Sequence, residues 1–252
     1  ELTAQHKIDV SDWLDVGSLP TIPAGEFVGA GLWQLNKGLS NPYKSLLKIL
    51  LNREYASAYP TIRPLAWDFR KQVQQGDADL LNTDPYLLML RRLESHLNDD
   101  EAELRELIRR AFYFKTGVCL TQLTGNQRQQ RRVQALEAQI NEWGWTYTHL
   151  DELDRRQSWP ARKVMNERNA LVTQMLNGYR ALAGFSEQHA ESLHIKEQDL
   201  RVLGNQLFAA FRAEPGKIID INPHIRSDME EEKLTLNLRE GIWQLIPGNW
   251  KP

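Results

Sequence analysis

LWQLNKGLSNPYKSLLKILLNREY, residues Leu32–Tyr55, reads as two helices joined by a sharp break. Ser40 and Asn41 are expected to cap the second helix, and Pro42 suits its first position, where a missing N–H costs nothing. Beyond the break, Tyr43, Leu46, Leu47 and Leu50 recur at helical spacing and form an apolar face. Lys44 and Lys48 stand four apart on another face, with Tyr55 roughly in line. A basic stripe that opens at a helix N-terminus can meet phosphate, because free N–H groups and the helix dipole add to the lysine charge. It can equally be a solvated flank. Glu54 falls on the apolar side of the same helix, and pairing with an arginine is the reading preferred over a buried functional acid.

Working outward, the spacing predicts mostly helix. Before the break, Ala24–Leu39 is expected to be helical, with Gly29 and Gly31 marking close packing by a neighbour. A short turn at Val10–Val16 precedes it. After Tyr55, helices are expected from Ile62-Arg63-Pro64 to Gln75, from Asp84-Pro85 onward, over Glu101–Thr121 and over Gln127–Glu142. Shorter or later ones follow at Thr148–Arg156, from Ser158-Trp159-Pro160 to His189, and over Gln198–Ala213. At Glu214-Pro215-Gly216 the period changes. Leu234–Leu238 alternates, Arg239-Glu240-Gly241 is a turn, and Ile242–Ile246 returns as a hairpin, with Lys217–Asn222 as a third strand. The expected architecture is mainly α with a small C-terminal antiparallel β element: a helical domain over 1–213 and a β segment over 214–252.

Bulk properties narrow the function. The 252 residues carry a formal net charge of −2, so the whole molecule is no polycation built for nucleic acid or anionic lipid. Any phosphate binding must come from local clustering. One cysteine, Cys119, excludes an internal disulfide, and the six histidines form no HExxH-type pair. No apolar run approaches membrane-spanning length, and the chain reads as soluble and cytoplasmic. The eight tryptophans are scattered, which favours core anchors over a base-stacking platform. Both ends are expected to be cut from a longer protein.

Local motifs supply no complete active site. There is no GxxxxGK(S/T) and no GxGxxG after a strand. Gly17-Ser18 and Asp77-Ala78-Asp79 carry the residue types of a nucleotidyl transferase, but they lie about sixty residues apart and read as turns. The run Arg128–Arg132 has no aromatic interleaving and reads as a solvated face, with RNA contact the weaker alternative. Cys119 sits between Val118 and Leu120 and reads as helix packing.

Several stretches in one order resemble the bacterial class I adenylate cyclases. They are Asp12-Trp13-Leu14-Asp15, Phe27-x-Gly29-Ala30, Leu32-Trp33-Gln34-Leu35-x-Lys37, Ser40-x-Pro42-Tyr43-Lys44 with Leu47-Lys48, Tyr59-Pro60, Asp84-Pro85-Tyr86, Arg110-x-Phe112-Tyr113-x-Lys115, Glu142-Trp143-Gly144-Trp145, Pro215-Gly216-Lys217 and Asn222-Pro223. The resemblance implies conversion of ATP to cyclic AMP and pyrophosphate by a longer enzyme. In that enzyme the nucleotidyl transferase core and its Mg2+ lie upstream, and a region linked to a regulator of the sugar phosphotransferase system lies downstream. This chain would then be the helical middle part, with no catalytic or metal-binding residue of its own and no activity alone. By analogy with helical regions that close over such cores, Lys37, Tyr43, Lys44 and Lys48 are the candidate nucleotide phosphate contacts. Neither membrane nor nucleic acid is an expected partner. The competing class is a non-enzymatic helical protein-interaction module.

Overall fold

The computed structural model describes residues 22–74, 84–190, 197–212, 219–230 and 233–247. Among these are ten α-helices and one hairpin. In chain order the helices are α1 (Ala24–Ser40), α2 (Pro42–Ser57), α3 (Leu65–Gln74), α4 (Pro85–Ser95), α5 (Ala102–Thr116), the single turn α6 (Gly125–Arg128), α7 (Arg131–Trp143), α8 (Tyr147–Asp154), α9 (Ala161–Gln188) and α10 (Glu197–Phe211). The strands β1 (Leu234–Arg239) and β2 (Ile242–Pro247) pair antiparallel.

Helix α2 is the axis of the fold. In its first half Pro42, Tyr43, Ser45, Leu46, Leu47, Ile49 and Leu50 are all buried. The sequence pattern pointed to one apolar face, whereas this helix is enclosed on nearly every side, because two apolar clusters share it. Tyr43, Leu46, Leu47 and Leu50 join a core with Leu90 and Leu93 of α4, Ile108 and Phe112 of α5, Leu136 of α7 and Val164 of α9. Ile49 turns the other way, into a cluster with Phe27 and Val28 of α1, Met175, Leu182 and Phe185 of α9, and Leu207 of α10. The 28-residue α9 also serves both clusters.

Close approach explains two glycines. A Cβ on Gly31 would lie 2.6 Å from Leu182 Cδ1, and one on Gly178 would strike Ile49 Cγ2, so α1, α2 and α9 pack backbone against side chain there. Gly29, the other glycine expected to mark packing, faces open space. Polar ties cross the same helices. Arg110 of α5 grips Glu167 of α9 with Nη2–Oε2 at 2.8 Å and Nε–Oε1 at 3.3 Å. Tyr113 donates to Asp154 Oδ1 at 2.6 Å, and the other Asp154 oxygen accepts from Thr121 N–H and Oγ1–H.

Several boundaries differ from the sequence reading for identifiable reasons. Helix α5 stops at Thr116, because Gly117 takes φ 69° and turns the chain left-handed. Cys119 therefore lies in extended backbone beyond the helix, where burial raises its thiol pKa. The expected Gln127–Glu142 helix is split by an extended Gln130 into α6 and α7. Neither Ser40 nor Asn41 caps α2: the Ser40 hydroxyl donates back to the Lys37 carbonyl at 3.1 Å, and Asn41 makes no side-chain cap bond. The break is braced from far along the chain instead. Asn222 Nδ2 donates to the carbonyls of Leu39 (2.9 Å) and Ser40 (3.2 Å).

That segment is not the expected third strand over Ile219–Asn222. Its neighbour Ile225 is buried in the α2 core, and Arg226 donates to the carbonyls of Trp159 and Glu230. Residues 219–230 thus pack on the helices, across the 213/214 boundary drawn from sequence. In the hairpin, Glu240 (φ 51°) and Gly241 (φ 80°) form a two-residue turn of the kind that matches strand twist. Register places Leu236 opposite Leu245 and Leu238 opposite Trp243, and all four are more than half exposed. The tryptophans divide in the same way. Trp159 is buried, and Trp143 and Trp145 pack on the core, but Trp33, Trp67 and Trp243 are exposed. Trp13 and Trp250 lie outside the described residues, as do the Val10–Val16 turn, Gly17-Ser18 and Asp77–Asp79.

Candidate functional site

The enclosure of α2 leaves one window over its first half. Lys44 is exposed and Lys48 half-buried, while the residues between and around them from Pro42 to Leu50 are covered. The four sequence candidates divide there. Lys44 and Lys48 share the window. Tyr43 points inward, 3 % exposed, with its ring 4.8 Å from that of Phe114. Burial first, and the Glu167 charge second, push its phenol well above the ordinary range, so it stays protonated beside the Arg110–Glu167 pair. Lys37 lies before the break on α1, with Nζ 5.2 Å from the centroid of the exposed Trp33 ring.

Other helices bring further charge to the window. Tyr43 and Phe114 are in ring contact, so the start of α2, which bears Lys44, packs against the end of α5, which bears Lys115. Lys115 is half-buried, with its ammonium 2.7 Å from the centre of the Tyr86 ring. Asp84, which caps α4 through Tyr86 N–H (2.8 Å) and Leu87 N–H (3.1 Å), is the carboxylate that acts on it. Lys44, Arg132 of α7 and Lys48 act in the opposite sense. Burial is the largest effect; Asp84 raises the Lys115 pKa, the three cations lower it, and it is held down to about 8. Sequence reading singled out neither Lys115 nor Arg132 as a contact. Lys115 figured only in a matching motif, and Arg132 only in a solvated run.

The Arg128–Arg132 run is not one uniform face. Arg128 Nη1 lies 2.5 Å from Glu137 Oε1, and its Nη2 donates to the Leu120 carbonyl at 2.8 Å. Arg131 and Arg132 are exposed. Glu54 takes the structural role expected of it. Its Oε1 accepts from Arg92 Nη2 (2.8 Å) and Nε (3.2 Å), with His96 Nε2 at 3.3 Å. Among the described residues, no group of three or more His, Cys, Asp or Glu side chains is placed to hold a metal ion. Among the same residues, no helix is long and apolar enough to cross a membrane.

Comparison with known proteins assigns the fold unit. The family model described as adenylate cyclase, class-I, second domain matches residues 22–222. The chain belongs to the class I adenylate cyclase family. Within that family it is similar to the adenylate cyclases of Salmonella typhimurium and Escherichia coli K12, at 37% identity over 235 residues for each. The Proteus mirabilis adenylate cyclase is 36% identical over 236 residues. Each alignment covers 93% of this chain but only 27–28% of the relative, so the chain spans little more than a quarter of the length of these cyclases. No solved structure matches it. The match ends at Asn222, the residue that braces the α1–α2 break, so the class I second domain as matched includes that tie.

Proposed function

We propose that this chain is the helical part of an enzyme that converts ATP to cyclic AMP and pyrophosphate in the cytoplasm, and that Lys44 and Lys48 face the nucleotide phosphates. The observation that carries this reading is the window on α2: seven of the nine residues from Pro42 to Leu50 are buried, and the two that are not are lysines. A helix otherwise enclosed in two cores holds its exposed charges in fixed positions, as a preorganised phosphate contact requires. Lysine charge there would oppose the negative charge that builds on the leaving pyrophosphate. Lys37 is kept as an outer contact on the far side of the break. Tyr43 acts through packing, by fixing the end of α5 against α2.

The Mg2+ of the reaction is assigned to the nucleotidyl transferase core that the family resemblance implies upstream of this chain. A regulator from the sugar phosphotransferase system would likewise act outside this region. In the longer enzyme, Lys44→Ala and Lys48→Ala should lower kcat/KM for ATP with the fold intact. Unchanged kinetics in both would remove the proposed contact. The 252-residue chain alone should produce no cyclic AMP, and measurable metal-dependent production would refute the placement of the catalytic carboxylates elsewhere.

The exposed apolar face of the hairpin favours a second reading, a module that docks a partner protein. Under that reading ATP titration of the longer enzyme leaves the resonances of the α2 window unmoved.

A further inference from the structure

We propose that the apolar face of the β1–β2 hairpin is an internal docking surface, covered in the longer enzyme by an apolar segment of the same polypeptide that lies outside these 252 residues. The inference rests on the reading of this chain as part of a longer cyclase and is independent of the lysine window. Three features carry it. Register puts Leu234, Leu236, Leu238, Trp243 and Leu245 on one face of the hairpin, and each is more than half exposed. Thr235, Asn237 and Gln244 lie on the other face, with Ile242. Among the described residues the sheet has two strands, and none of the five apolar side chains joins either core. A two-stranded hairpin on its own is marginal in water, and a contiguous apolar patch larger than a few hundred Å² marks an interaction surface.

The hairpin is leashed closely to the helices. Met229 packs on the α2 core, the Glu230 carbonyl accepts from Arg226 Nη2 at 2.9 Å, and β1 starts at Leu234. The second-domain match nevertheless ends at residue 222, before the hairpin, and the aligned region is only 27–28% of each relative. The rest of such an enzyme is present in every molecule and, being linked, reaches this face at a high effective concentration. The chemistry of the face favours that occupant over a transient partner. Four leucines and a tryptophan with no charge among them have the composition of a permanent interface, which resembles a core cut in half. Surfaces that meet a partner only at intervals are about as polar as the rest of a protein exterior.

The test compares maleimide labelling of the Leu236→Cys variant in the 252-residue chain and in the longer enzyme, read peptide by peptide in a mass spectrometer. Leu236 is 64 % exposed, so labelling should be fast in the 252-residue chain. It should be at least about tenfold slower in the purified longer enzyme, where the face is closed except during local opening. Cys119, present in both proteins, is the internal reference. Leu236→Lys should leave the urea midpoint of the 252-residue chain unchanged and lower that of the longer enzyme. Equally fast labelling in the two proteins overturns the inference and leaves the face to a separate partner protein. Slow labelling of the 252-residue chain also overturns it: protection that grows with concentration assigns the face to a second copy, and protection independent of concentration assigns it to this chain itself. An unchanged midpoint for Leu236→Lys in the longer enzyme counts against it in the same way. Cyclic AMP production by the longer enzyme, measured in the same samples, tests the cyclase reading separately.

Discussion

Lys115→Met should make the protein more stable at neutral pH. Methionine keeps the unbranched stem that covers Tyr86 and removes the charge. In the folded chain the Lys115 pKa falls from 10.5 to about 8, mainly through burial, with Lys44, Arg132 and Lys48 outweighing part of what Asp84 restores. A shift of that size corresponds to a gross cost of about 3.4 kcal/mol for keeping the ammonium charged at pH 7. Lys115 is only partly buried, and solvent and salt screen such charges, so about half of that is a reasonable share. Losing the attraction to the Tyr86 face returns about 0.5–1 kcal/mol. The net expectation is a gain of about 1 kcal/mol, read as a higher urea midpoint at unchanged slope. The pH dependence follows from the sign of the shift. A lysine whose folded pKa lies below its unfolded value destabilises fully below about 8, and that cost fades as pH rises from about 8 towards 10.5. The advantage of Lys115→Met should therefore be largest at pH 7 and shrink by pH 10. A variant that is less stable at pH 7, or whose gain does not change with pH, would refute the view that burial holds the Lys115 charge at a cost.

Other perturbations probe the frame that holds the window. Gly178→Ala drives a methyl into Ile49, and Gly31→Ala drives one into Leu182. Each should cost about 1–3 kcal/mol in urea unfolding, whereas Gly29→Ala, facing open space, should be neutral or stabilising. Arg92→Met leaves the Glu54 carboxylate, 8 % exposed, without its main partner and should cost about 2–3 kcal/mol, measured by thermal or urea unfolding. Asn222→Ala removes both bonds to the α1–α2 break and should cost about 1–2 kcal/mol. Faster hydrogen exchange around Ser40 and Asn41 should accompany it.

Much of this fold was legible in local pattern, because most helices carry a clean 3.6-residue period between proline and glycine signals. Pro42, Pro85 and Pro160 each stand at or just before a helix start, and Gly144 ends α7 in a left-handed turn. The failures share a cause. Val118 and Leu120 continue the apolar period past Gly117, so periodicity outvoted the stop signal there. The extended Gln130 carries neither glycine nor proline to announce it. The strand-like run before Asn222 is drawn off by packing of Ile225 and its neighbours against the helices. At the site, Lys44 and Lys48 could be read because they are four apart on one helix. The position of Lys115 depends on how α5 packs against α2 and α4, and no local pattern encodes that. Tyr43 stands on the apolar stripe read from sequence and is buried there, but a helix shared by two cores looks one-sided in sequence: Ile49 and Ser45, off that stripe, are as buried as the residues on it.

The brace at the α1–α2 break has a consequence for how the molecule is made. Ser40 waits for a partner 182 positions later in the chain. At ribosomal rates of about 5–20 residues per second, α2 is completed roughly 8–33 s before Asn222 is synthesised. During that interval the junction of the two helices is untied, while α4, α5 and α9 are made and can cover α2. The lysine-bearing end of α2 is thus made long before the tie at its junction with α1 can form. A nascent chain stalled before α9 would leave the Ile49 side of α2 without its Met175 and Leu182 cover, and would be a natural client for chaperones that recognise exposed leucine-rich helix.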